Sequence, residues 1–183
     1  TYHGWYVVEV CMIVAIVTAR GAFGVFVIPM SEEFGWGRGA ISIAASMGFL
    51  FHGLMQPLLG KALDRFGGRR VILVSLTIFG LATAALGLTF HILFVIFMFG
   101  VIAGTSFSGT SPANTGALIV KWFRLRRATA VGLNGAGVAL GGLLIIPLAA
   151  YMIQATNWRM AWVTLGLIVL LVAVPPVYLV VHD

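Results

Sequence analysis

The chain has 183 residues, of which 61% are hydrophobic and only 9% charged, with a net charge of +6 and a mean hydropathy of +1.08. A soluble domain carries about 25% charged residues, so this composition specifies a membrane protein. The single cysteine, Cys11, excludes an intrachain disulfide and a cysteine metal site. The pI of 10.3 does not signal nucleic-acid binding, because the basic residues fall in two short loops between apolar runs.

A membrane-spanning helix needs about 20 mostly apolar residues. Six runs meet that need, at about 5–30, 39–62, 71–89, 92–121, 128–155 and 159–181. The first is too long for the apolar core of a signal peptide. The breaks between them are polar or glycine-rich: "SEEFGWGR" (31–38), "DRFGGRR" (64–70), "FH" (90–91), "WFRLRR" (122–127) and "TNWR" (156–159). The fold expected is all-α, with six transmembrane helices. Although no sequence repeat is visible, two three-helix repeats of inverted topology, about 1–90 and 91–183, suit a transporter.

Span 1 carries the anomaly of the chain. Arg20 lies inside the apolar run from Trp5 to Met30, roughly 22 Å and 15 Å along the axis from those two residues. A mid-span arginine costs about 2.5–3.5 kcal/mol on insertion scales. The acids of the chain are Glu9, Glu32, Glu33, Asp64 and Asp183, and none is expected near the midplane. Glu9 is about 16 Å away along the helix. Three completions stay open: a carboxylate from outside this chain, solvation by carbonyls, span 4 hydroxyls and water, or a transported anion held by the planar guanidinium fork.

Span 2 places His52 and Gln56 on one face, four residues apart, either as a packed polar pair or as a functional one. Span 3 has no charge in its interior and few hydroxyls, as does span 6, and both are expected to face lipid. Span 4 contains "GTSFSGTSPANTG" (104–116), whose polar groups need protein or a water-filled cavity as neighbours. There Thr110, Ser111 and Asn114 share a face and are candidate substrate contacts beside Arg20. Span 5, "VGLNGAGVALGG" (131–142), has the small residues that let helix backbones approach closely. Tryptophans near the span ends read as an interfacial belt.

Orientation follows from the loop charges. Lys61, Arg65, Arg69 and Arg70 flank loop 2–3, and Lys121, Arg124, Arg126 and Arg127 flank loop 4–5, whereas the other loops hold only Arg38 and Arg159. Both basic loops and both termini are therefore expected in the cytoplasm.

"GKALDRFGGRR" (60–70) resembles the loop 2–3 motif of the major facilitator superfamily, and it lies between the second and third spans as that motif does. "GWYVV", "FGVFVIPMSEEFGWGR", "KWF" and "NWRMAW" extend the resemblance along the chain, toward bacterial carriers of the monocarboxylate and oxalate/formate type. The resemblance implies the N-terminal half of a twelve-helix secondary transporter in a bacterial inner membrane. Its substrate would be a small organic anion moved by alternating access, and its partner a C-terminal six-helix half or a second six-helix unit. Asp183 then falls where the family has its central linker, and activity of a lone half is not expected. Gly60, Asp64, Arg65, Gly67, Arg69 and Arg70 would form a cytoplasmic latch that breaks during transport. Two departures stand out: Gly68 occupies a usual basic position, and Gly100 stands where many proton-coupled members have arginine. Span 5 also lacks the Gly-Pro pair of drug antiporters. Another small solute is the alternative cargo, and no cofactor or metal is expected. An intramembrane serine protease built on "SFSG" (106–109) is disfavoured, because the later histidine, His182, lies at the wrong depth to serve as base.

Overall fold

The computed structural model describes residues 2–182, so Asp183 lies outside the described residues. Among those described there is no strand. Six helical segments are long and apolar enough to cross a membrane: span 1 (His3–Phe34), span 2 (Arg38–Phe66), span 3 (Gly68–Leu88), span 4 (Ile92–Trp122), span 5 (Arg127–Ala155) and span 6 (Trp158–Val180). In hydrocarbon every backbone polar group must be satisfied within the protein, which is why such apolar runs fold as helices.

Span 1 packs most extensively on span 5, span 2 on span 4, and span 3 on span 6 and span 4. Small residues set these contacts. A Cβ on Gly137 or Gly141 of span 5 would lie 2.8 Å and 2.7 Å from the carbonyl oxygens of Met12 and Ile16 in span 1, and one on Gly104 would lie 2.8 Å from that of Gly48. Close backbone approach of this kind replaces the hydrophobic effect as the driving force between helices in lipid.

Two spans are interrupted. In span 1, helix Tyr2–Val17 stops, Ala19 is extended (ψ 103), and the chain restarts as a 3₁₀ turn Arg20–Ala22 that runs into helix Phe23–Phe34. In span 4, helix Gly104–Thr110 is separated from helix Pro112–Trp122 by Ser111, also extended (ψ 152). Residues Ile96–Ala103 of span 4 and Val169–Ala173 of span 6 are π-helical. The second π turn runs up to Pro175 and Pro176, whose missing N–H groups would interrupt a regular ladder.

Span 3 differs from its expected lipid exposure. Val74, Ile78 and Leu81 do form an outward stripe, but Ile72, Ser75, Leu76, Phe79, Gly80 and Thr83 are buried. Charge and hydroxyl content do not report the close packing that causes this: a Cβ on Gly166 would lie 2.6 Å from the Gly80 carbonyl oxygen. Spans 2 and 5 are the least enclosed. They carry exposed apolar stripes, Leu50, Leu54 and Leu58 on one and Leu140, Leu144 and Leu148 on the other.

Loop 2–3 is far shorter than the polar stretch 64–70 implies. Span 2 continues to Phe66 and span 3 begins at Gly68, leaving Gly67 alone as the connection, at φ 90. Only glycine adopts that conformation without steric penalty. Gly68 is buried against span 4, where a Cβ would lie 2.7 Å from a Leu118 methyl group, which accounts for a glycine at a usually basic position. At the opposite end, Arg159 ties three elements together. It pairs with Glu33 at 2.8 Å and donates to the Thr89 carbonyl at 2.6 Å, while Trp158 Nε1 donates to the same Glu33 carboxylate.

Candidate functional site

The break in span 1 places Arg20 at the start of a helical segment and turns its side chain between spans 2 and 4. Nη1 donates to the Gly48 carbonyl at 3.1 Å. The guanidinium carbon lies 5.3, 4.9 and 5.4 Å from the ring centroids of Phe49, Phe99 and Phe107. Among the described residues Arg20 forms no ion pair, and its Nε and Nη2 are buried without a hydrogen-bond partner. A desolvated cation–π contact contributes up to about 2 kcal/mol. Three rings at about 0.5–2 kcal/mol each, with one carbonyl, are thus enough to offset the roughly 2.5–3.5 kcal/mol insertion cost. The arginine is held without a carboxylate, and part of its fork stays open.

This arrangement depends on Gly48. A Cβ there would sit 1.9 Å from Nη2 and 3.0 Å from Cζ. A cavity of about 210 Å³ adjoins the guanidinium, lined by Thr18, Arg20, Phe49, Phe107, Pro112 and Val138 among others. It therefore touches both helix breaks. The N-termini of the restarted segments, at Arg20 and at Pro112, have no side-chain cap. An uncapped N-terminus carries a partial positive charge and free N–H donors. The cavity thus adjoins a full positive charge and the starts of two helical segments, at Arg20–Gly21 and at Pro112, and its walls are largely apolar; Pro112 itself brings no N–H donor.

The polar residues of span 4 repair its break. Pro112 has no N–H, so the Ser108 carbonyl loses its usual helical donor. Two side chains replace it: Ser111 Oγ donates at 3.0 Å and Asn114 Nδ2 at 2.6 Å. Thr110 donates to the Phe107 carbonyl at 3.2 Å. Asn134 of span 5 donates to Thr115 Oγ1 at 2.9 Å. Thr110, Ser111 and Asn114 are buried in this network and do not line the Arg20 cavity. Asn114→Ala is expected to cost about 1–2 kcal/mol in wild type. It should cost clearly less in a Pro112→Ala background, where an N–H is restored to Ser108. Thermal unfolding of the four proteins in detergent checks this, and equal costs in both backgrounds would refute the repair role.

His52 and Gln56 form a polar ladder from span 2 to span 4. Gln56 Nε2 donates to Ser111 Oγ at 2.9 Å, and His52 Nδ1 lies 3.1 Å from Ser108 Oγ. The Ser108 hydroxyl donates its one proton to the His52 carbonyl at 2.7 Å. Nδ1 must therefore be the protonated nitrogen, donating to the serine. That polarity is opposite to a nucleophile and its general base, so this serine–histidine contact is not a hydrolytic pair. His182 bonds the Val180 carbonyl at the chain end instead.

The motif residues of loop 2–3 lie apart from the cavity. Asp64 reaches Lys121 of span 4 at 3.4 Å, an exposed pair. Arg69 donates to the Tyr178 carbonyl of span 6 at 2.7 Å and stacks over that ring at 4.5 Å. Arg65 lies over Phe66 at 5.3 Å, Arg70 is exposed, and Gly60 faces the Asn114 side chain. What sequence reading missed are Gly48, the three phenylalanines, one from span 2 and two from span 4, and the bridging role of Ser108. The Ser-Pro pair at 111–112 was the one available signal of a break.

Comparison with known proteins agrees with this architecture. The model of the Major Facilitator Superfamily matches residues 10–183. "Probable anion transporter 3, chloroplastic" of Arabidopsis thaliana is 31% identical over 88% of the chain and 32% of its own length. The human "Voltage-gated purine nucleotide uniporter SLC17A9" is 30% identical over 77% of the chain and 33% of its own length. Human "Monocarboxylate transporter 14" is 27% identical over 84% of the chain and 30% of its own length. The chain thus spans about a third of the length of these relatives.

Proposed function

The chain belongs to the major facilitator superfamily, and on that premise we propose that it is the N-terminal six-helix half of a secondary transporter for a small organic anion, a monocarboxylate in particular. The observation that carries this is Arg20, a half-buried cation with one backbone partner and two buried nitrogens unpaired, beside a cavity of about 210 Å³. A carboxylate fits the open edge of its fork. Two helix N-termini would favour the same charge, as in other carriers with discontinuous helices. A single cation and apolar walls favour one carboxylate with a short apolar tail over a dicarboxylate or a nucleotide.

The pairing of spans 1 with 5, 2 with 4 and 3 with 6 maps onto itself when spans 1–3 are exchanged with 4–6. Both interrupted helices, 1 and 4, exchange as well. This supports two inverted three-helix repeats. The least enclosed faces, on spans 2 and 5, are where a second six-helix half would sit. Asp64, Arg69 and their neighbours would then form the cytoplasmic latch, breaking and remaking contacts as the halves rock. The loop charges support cytoplasmic termini, and we assign the protein to a bacterial inner membrane.

Proteoliposomes of the full-length protein test the reading. Labelled lactate, formate or a similar monocarboxylate is expected to accumulate and to be competed by other short monocarboxylates at least tenfold better than by ATP or succinate. Uptake of none of these anions, or stronger competition by the nucleotide, would overturn the assignment.

A further inference from the structure

We propose that the loop between spans 4 and 5 is a binding site for the phosphodiester headgroup of an anionic phospholipid. A cavity of about 640 Å³ opens between this loop and the start of span 1. Its lining joins Lys121, Arg124 and Arg126 to Trp5, Trp122 and Leu125, and it contains no acid. Arg127 is turned back, its Nε donating to the Phe123 carbonyl at 2.7 Å, and Phe123 packs edge-on against Trp5 at 4.9 Å. The loop is thereby closed on itself, with residues 124–126 outward.

Among the described residues the side chains of Arg124 and Arg126 have no hydrogen-bond or ion-pair partner. Lys121 has only the exposed contact to Asp64, a weak one. Between the two arginines Leu125 is 99% exposed. The loop joins two membrane spans, so it lies at the bilayer surface. There a leucine side chain enters the acyl boundary while the flanking guanidinium forks meet phosphate oxygens and Trp122 sits at headgroup level. A free phosphate would satisfy the arginines but would leave the leucine and the aromatic wall unused.

The test uses the full-length protein, phosphatidylglycerol titrated against a phosphatidylcholine background, and native mass spectrometry to count retained lipid. Each arginine near an anionic surface contributes about a fivefold gain in affinity, so Arg124→Gln with Arg126→Gln should weaken phosphatidylglycerol retention by about 25-fold. Leu125→Ser should weaken it severalfold without altering the charge. Both variants should melt as wild type in pure phosphatidylcholine. Unchanged retention in the double variant overturns the proposal. So does equally tight binding of inorganic phosphate, which would make this a soluble-anion site.

Discussion

Arg20→Met is expected to abolish anion uptake and, at the same time, to raise the melting temperature. Hydrogen bonds to a charged group contribute about 1.5–3 kcal/mol each. Losing the fork should therefore lower kcat/KM at least about 100-fold. Stability should move the other way. The guanidinium has one hydrogen bond and two buried unpaired nitrogens, and a buried polar atom without a partner costs about 1–3 kcal/mol, which an apolar side chain of similar volume avoids. A gain of 1 kcal/mol raises the melting temperature by about 2–4 °C in a chain of this size. Arg20→Lys keeps the charge without the fork and should retain a small fraction of uptake. Wild-type uptake in Arg20→Met would remove the arginine from the anion site. A fall in melting temperature together with lost uptake would make it a structural residue.

Gly48→Ala should reduce uptake at least about tenfold while leaving the fold intact. The three atoms nearest the added methyl group would all belong to the guanidinium, with Nη2 at 1.9 Å, and that flexible end can move. Helix propensity gains up to about 1 kcal/mol from the change, so stability should hold or rise. The arginine would leave its carbonyl and its rings, and the fork would no longer face the cavity as it does here. In an Arg20→Met background the same substitution should do nothing further to uptake, and melting should keep only the gain in helix propensity. This coupling separates a positioning role from a general packing role. An independent loss of stability in the double variant would show that Gly48 acts through its contact with Gly104 instead.

The six spans and the loop 2–3 motif were legible because apolar run length and charged breaks report directly on the bilayer. Arg20 was legible as a charge without a partner in its own chain, since an inventory of five acids needs no structure. Its environment was not. Phe49 of span 2 and Phe99 and Phe107 of span 4 are unremarkable in their apolar runs, and only packing brings them around one cation. The break at Thr18–Ala19 carries no proline, so nothing local announces it. Ser111, Thr110 and Asn114 stand out in the sequence as candidate substrate contacts because polar groups in hydrocarbon need a neighbour. In the structure Ser111 and Asn114 donate to the freed Ser108 carbonyl and Thr110 to that of Phe107. Span 3 was misread for the same underlying cause: burial by glycine-to-backbone contact leaves no polarity to see.

The one-residue connection at Gly67 has a mechanical meaning. Two helices joined through a single backbone unit have no slack, so a tilt of either one is passed to the other like motion between two arms of a crank. Span 2 bears the carbonyl that holds Arg20, and span 3 is wedged between spans 4 and 6. Torque applied at the outer helices thus reaches the Gly48 carbonyl that holds the Arg20 guanidinium, carried from span 3 to span 2 by covalent geometry.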